Sequence, residues 1–145
     1  MIHITIMSKN LKLIEKILTR EKTIESRWYK SKKAPYDKLK IGETIYFKNN
    51  NGEAVSAKAT VQKIMQFDNL TSKKVKELLD TYSEKIQIQN KEQAYMQLKD
   101  KRYCILVFLK NPIALKPKEQ FQINKTGFGN QCAWISAENI NQIKI

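Results

Sequence analysis

A mixed α+β fold follows from how the periodic segments are ordered. Stretches with the two-residue alternation of a strand are interleaved with stretches carrying the apolar stripe of a helix, but without the βα alternation of a doubly wound sheet. The most apolar stretch, Tyr103-Cys104-Ile105-Leu106-Val107-Phe108-Leu109, has the unbroken hydrophobicity of a strand buried on both faces. With 145 residues, 41% hydrophobic and 28% charged, the chain is the size of one domain with one core, taken as residues 1–145.

Ile2, Ile4 and Ile6 alternate with polar residues and predict a first strand. Asn10 is a candidate cap for a helix starting at Leu11, with Leu11, Ile14, Ile17 and Leu18 as its apolar stripe. Thr23 to Tyr29 reads as a strand, and Lys30 to Lys40, lysine-rich and broken by Pro35, as an exposed loop. Thr44 to Phe47 predicts a strand, and Asn49-Asn50-Asn51-Gly52 a hairpin turn, because Asn and Gly tolerate positive φ. The return strand runs from Ala54 to Gln66, with Val55, Ala57, Ala59, Val61 and Lys63 on one side.

Thr71 or Ser72 caps a helix reaching about Ser83, buried through Val75, Leu78, Leu79 and Tyr82. Asn90 caps a shorter helix with Tyr95 and Leu98 inward. The apolar strand from Arg102 to Leu109 is expected to end at Asn111-Pro112. Phe121 to Ile123 predicts a short strand, Gly127-Phe128-Gly129-Asn130 a loop, and Ser136 the cap of a helical turn. Phe128 and Trp134 are expected in the core.

No apolar run approaches the roughly 20 residues that a spanning helix needs, and the N-terminal stretch lacks the pattern of a signal peptide. Cys104 and Cys132 show no framework spacing and read as buried reduced thiols. These features give the expectation of a cytoplasmic protein with no membrane partner. No cofactor or metal motif stands out: there is no phosphate loop, no dinucleotide glycine fingerprint, and no ligand-pair spacing among His3, Cys104 and Cys132. The single histidine, His3, has no acidic or nucleophilic neighbour in sequence.

The formal net charge is +13, which favours a polyanionic partner through counterion release and steering. The 27 basic residues include only three arginines, Arg20, Arg27 and Arg102. Lysine, isoleucine and asparagine share AT-rich codons, so part of the excess is expected to be a solvated lysine surface. Arginine is the better planar reader of phosphate, and Arg27 therefore stands out.

Arg27 lies in Lys22-Thr23-Ile24-Glu25-Ser26-Arg27-Trp28-Tyr29-Lys30. In a strand Ile24 and Trp28 share one face, and Thr23, Glu25, Arg27 and Tyr29 the other. An acid, a base and a phenol thus project together just before a basic loop containing Lys32, Lys33 and Tyr36. The simplest alternative is a surface strand with a weak ion pair, worth about 0–1 kcal/mol. Tyr29 and Tyr36 are candidate stacking rings, and Trp28, on the face of Ile24, reads as core.

Lys22 to Arg27, followed by Ile41-Gly42-Glu43-Thr44-Ile45-Tyr46-Phe47, resembles the ASCH family: a Lys-x-x-Glu-x-Arg strand leading to a hydrophobic-Gly-acid-x-hydrophobic-x-Phe strand. The resemblance covers Ile4 to Leu109, and residues 110–145 form a closing segment outside it. It implies a PUA-like fold, a small mixed β-barrel with peripheral helices, that binds RNA or a modified nucleoside in a cleft beside the barrel. Some relatives remove an acetyl group from a cytidine base, and some are reported as ribonucleases. In the amidohydrolases a motif lysine, a threonine and a distant glutamate form the active site. Lys22 matches the lysine, Glu25 stands at the threonine position, and Arg20 and Glu21 replace a glycine that often precedes the lysine.

The resulting expectation is RNA or nucleotide-like ligand binding through Lys22, Glu25, Arg27, Tyr29, Lys30, Lys32, Lys33 and Tyr36, without catalysis. The alternatives are a hydrolase using Lys22 and Glu25, and a protein-interaction module whose charge is incidental.

Overall fold

A computed structural model describes residues 1–125 and 133–145. The predicted 127–130 loop, Phe128 and Cys132 lie outside the described residues. The strands are β1 (Ile2–Met7), β2 (Ile24–Tyr29), β3 (Thr44–Asn49), β4 (Val55–Phe67), β5 (Tyr103–Ala114) and β6 (Trp134–Ala137). The helices are α1 (Leu13–Leu18), α2 (Ser72–Ile86) and α3 (Lys91–Leu98). The strands form one mixed sheet in the order β2-β5-β4-β3-β1-β6. Only β1 and β3 pair in parallel among the described strands; the other neighbours are antiparallel. The sheet curls into a half-barrel, so that Arg27 on edge strand β2 touches Thr5 and Met7 on β1 and the ring of Trp134 on β6.

The curl gives the sheet an inner and an outer face, and two-residue periodicity sorts side chains between them. Ile45, Phe47, Ala57, Ala59, Val61, Ile105, Val107, Leu109 and Trp134 fill the inside, where α1 adds Ile14 and Ile17. On the outside, α2 buries Val75, Leu78, Leu79 and Ile86 against Ile24, Cys104 and Leu106, and α3 packs Ala94, Tyr95 and Leu98, partly buried, against the same cluster. A third cluster joins Ile4 and Ile135 to Val55, Leu115, Phe121 and Ile143. β5 contributes alternate residues to the inner and outer clusters, which accounts for its unbroken apolar run.

Local chemistry sets the two longer helices. The Thr71 side chain accepts from the Lys74 amide to start α2, and the Asn90 side chain accepts from the Gln93 amide to start α3. Asn10 is not a cap. It sits in a 3-10 turn, Lys9–Leu11, and Lys12 at φ 53° leads into a shorter α1. Leu11 is consequently left exposed.

Two bulges account for further departures. Val61 pairs with Leu109 but Lys63 pairs with Phe108, so one extra residue of β4 reverses the alternation. Ile64 then packs against the inner core, and Lys63 is exposed, its ammonium 5.1 Å from the Phe108 ring centroid. Nor does β5 stop at Asn111-Pro112. Lys110 pairs with Thr60 and Ile113 with Lys58, Asn111 takes φ 52°, and the proline falls at a bulge where no ladder donor is needed. Phe121 and Ile123 make isolated bridges to Val55 and Lys144 rather than a strand. Ser136 is no helix cap: it lies within β6, and Asn139 caps the 3-10 turn that follows.

Candidate functional site

The backbone amide of Thr23 donates to the Lys85 carbonyl and that of Leu109 to the Thr23 carbonyl, which pins the start of β2 between the end of α2 and β5. Lys22 is drawn into this junction and is only 2% exposed. Its Nζ donates to the carbonyls of Ile24 and Ile86, each at 2.8 Å, the latter at the C-terminus of α2, where the helix dipole welcomes a cation. Glu25 Oε1 is 3.8 Å away. Burial is the main influence on the Lys22 ammonium and lowers its pKa; Glu25 opposes this and Arg27 adds to it.

This pair forms part of the floor of a groove of about 400 Å³ that runs along the free edge of β2. One wall comes from Leu11, Leu13 and Lys16, the other from Gln87, Gln89, Asn90, Gln93 and Gln97, and Ser26 and Trp28 join the floor. Glu25 keeps one oxygen, Oε2, buried without a hydrogen-bond partner among the described residues. Trp28 packs against the outer core as expected, yet stays half-buried, its indole N–H donating to Ser26 Oγ at 3.0 Å. The amide wall was not picked out from sequence, although the four glutamines within Gln87–Gln97 were visible as a cluster.

The other predicted site residues lie elsewhere. Arg27 points into the barrel, where its Nη2 donates to Thr5 Oγ1 and its guanidinium carbon is 5.6 Å from the Trp134 ring centroid. Tyr29 donates its hydroxyl to the Ala34 carbonyl at 2.9 Å, and Tyr36 packs edge-on against Tyr103. Lys33 and Lys32 lie over the Tyr29 and Tyr36 rings at 5.8 and 5.1 Å, and Lys30, Lys32 and Lys33 are exposed. Sequence periodicity therefore grouped Glu25, Arg27 and Tyr29 on the correct face. The fold spreads them from the groove, through the barrel interior, to the basic loop.

A second polar cluster was not legible from sequence. His3, 0% exposed, points inward. Its Nε2 is 2.9 Å from Glu43 Oε1, its Nδ1 is 2.8 Å from Ser136 Oγ, and the Trp134 indole N–H donates to Nδ1 at 3.3 Å. Desolvation is the main influence on His3 and holds its pKa below the ordinary value, against the pull of Glu43. Burial pushes Glu43 upward, but hydrogen bonds from His3, the Lys40 amide and the N-terminal ammonium outweigh it and hold the carboxyl below its usual range. Among the described residues, no group of three His, Cys, Asp or Glu side chains is placed to hold a metal. No helix among them is long and apolar enough to cross a membrane.

No protein-family model matches the chain, and no curated protein does. Solved structures do. The crystal structure of ASCH from Zymomonas mobilis aligns over 97% of this chain and 90% of its own, at 15% identity and a TM-score of 0.60. The crystal structure of the hypothetical protein PH0355 aligns over 78% of this chain and 100% of its own, at 19% identity and a TM-score of 0.54. These likenesses show the fold alone, the mixed α+β half-barrel that this chain shares with the Zymomonas mobilis ASCH structure.

Proposed function

We propose that the chain is a PUA-like domain that binds RNA or a modified nucleoside, with the β2 groove receiving a base. The observation that carries this reading is the buried Lys22–Glu25 pair in the groove floor, with Glu25 Oε2 unpartnered among the described residues. A buried carboxylate oxygen without a donor is costly, and the exocyclic amine of a base satisfies it. The glutamine and asparagine wall offers both donors and acceptors, as a base edge requires, and half-buried Trp28 offers a face for stacking. The floor carries one cation and one anion, so the groove suits an uncharged heterocycle better than a phosphate. Phosphates fall to the exposed lysines of the 30–40 loop.

Calorimetric titration of the wild-type chain with cytidine, N4-acetylcytidine and a mixed-sequence single-stranded RNA tests this. Trp28→Ala is expected to weaken the ligand that binds by about 1–3 kcal/mol. Absence of binding by all three, or binding that ignores both Trp28→Ala and Glu25→Gln, would refute the reading.

One observation favours hydrolysis as a second reading. Burial lowers the pKa of Lys22, and its Nζ lies 3.8 Å from Glu25 Oε1, so the groove floor brings a proton donor and a carboxylate together, as general acid–base hydrolysis requires. Glu25 is the only carboxylate among the described residues that line the groove. Chromatographic detection of deacetylated cytidine, lost in Glu25→Gln, would replace binding with catalysis.

A further inference from the structure

We propose that Ser136, His3 and Glu43 form a second site, on the inner face of the barrel, in which Ser136 is a nucleophile towards small acyl esters. None of the three lines the β2 groove. They come from β6, β1 and the turn before β3, and β1 is paired with both neighbours, His3 opposite Ser136 on one side and Ile45 on the other. The constellation is therefore built by the sheet itself.

The partners determine the histidine tautomer. A carboxylate only accepts, so the ring nitrogen facing Glu43, Nε2, carries the hydrogen. An indole N–H only donates, so the nitrogen facing Trp134, Nδ1, presents its lone pair. Both ends of the ring agree. The Ser136 hydroxyl, 2.8 Å from Nδ1, must then donate to it, which leaves the oxygen lone pairs directed away from the base. That is the arrangement in which a serine is activated by a histidine that a carboxylate orients, here with the two ring nitrogens exchanged relative to the usual order. Ser136 is half-buried on an edge strand, whereas His3 is sealed from water.

The groups facing His3 are Glu43, Ser136, Trp134 and, bound to Glu43 at 3.3 Å, the N-terminal ammonium. Arg27 supplies a cation on the same inner face, with Nε buried and unpartnered among the described residues, and we assign it to the developing oxyanion.

In the step, Ser136 Oγ bonds to the ester carbonyl carbon as its proton passes to His3 Nδ1. The C–O bond to the leaving alcohol breaks, and the alcohol takes that proton from Nδ1. The product is an acyl-serine, and water reverses the sequence to release the acid. Glu43 is a positioning residue that stabilises the imidazolium through Nε2–H.

The test uses the whole chain with a fluorophosphonate probe, in which the Ser136 Oγ–P bond forms and fluoride leaves. Mass spectrometry is expected to show one adduct on the peptide carrying Ser136, absent in Ser136→Ala. Labelling of the wild type needs a neutral imidazole, so its rate should fall as pH drops through a His3 pKa lying below the ordinary value. Glu43→Gln should slow labelling by about a hundredfold and move that midpoint further down, which loss of packing alone would not do. No adduct on folded wild-type protein between about pH 6 and 9, while a serine hydrolase control is labelled, would overturn the proposal. So would an adduct that persists in Ser136→Ala.

Discussion

Lys22 shows how one side chain is asked to do two things. Its ammonium ties the Ile24 carbonyl to the last carbonyl of α2, and it faces the Glu25 carboxylate. Lys22→Met removes the donor from both carbonyls and leaves Glu25 buried without its counter-charge. The expected cost is about 3–5 kcal/mol in chemical denaturation, the range found when one partner of a buried pair is deleted. The pH dependence has a definite sign. The folded pKa of Lys22 lies below 10.5, its ordinary value, so between the two the unfolded chain holds more protons than the folded one. Stability then rises with pH across that window. The desolvation cost is present in full below the folded pKa and gone above the ordinary one. The gap between wild type and Lys22→Met should therefore widen as pH is raised through the window. A gap that stays constant or narrows would mean that Lys22 is not held in a desolvated setting.

The caps of the two longer helices and the alternation along β2 were read correctly because they are decided locally, whereas Asn10 and Ser136, also read as caps, lie in a 3-10 turn and in β6. Thr71 and Asn90 each satisfy an amide three residues on, and Glu25, Arg27 and Tyr29 share a face through period two alone. Features set by the neighbouring strand were not legible. Nothing in the residues near Lys63 announces that the register with β5 shifts between Val61 and Lys63, nor that Pro112 falls where a bulge removes the need for its donor. His3 is the extreme case, since its partners Glu43 and Ser136 are 40 and 133 residues away in the chain. The closure of the half-barrel is of the same kind. Among the described residues edge strand β2 shares no backbone ladder with β1 or β6, and the Arg27 side chain spans the seam to Thr5, Met7 and Trp134. Arg27→Met keeps the apolar stem and removes the charged hydrogen bond, worth about 1.5–3 kcal/mol. Hydrogen exchange should then speed up in β6 and along β1 while α2 and α3, packed on the outer face, keep their protection. Uniform acceleration over all elements would mean that the arginine contributes to global stability and not to the seam.

The charge of the chain and its groove act over different distances, and this separates two contributions to binding. On the proposed RNA-binding reading, the net charge of +13 attracts any strand, and each phosphate neutralised releases counterions. For single strands the logarithm of affinity falls against the logarithm of salt concentration with a slope of about −0.7 per contact. Lys32 and Lys33 are exposed, and the Tyr36 and Tyr29 rings lie beneath them, which holds both ammoniums outward on the loop. Asp37, 4.0 Å from Lys32 and itself exposed, takes little of that charge away. Replacing both lysines by alanine should make the slope shallower by roughly 1.4, two contacts at that value, and weaken all sequences alike. Trp28→Ala in the groove removes a stacking surface and no charge. It should lower affinity at every salt concentration, leave the slope unchanged, and discriminate among bases. Filter binding of two single-stranded RNAs of different base composition, from low to physiological salt, reads slope and intercept together. Parallel losses of slope in both variants would place RNA on the charged surface alone and remove the groove from its recognition.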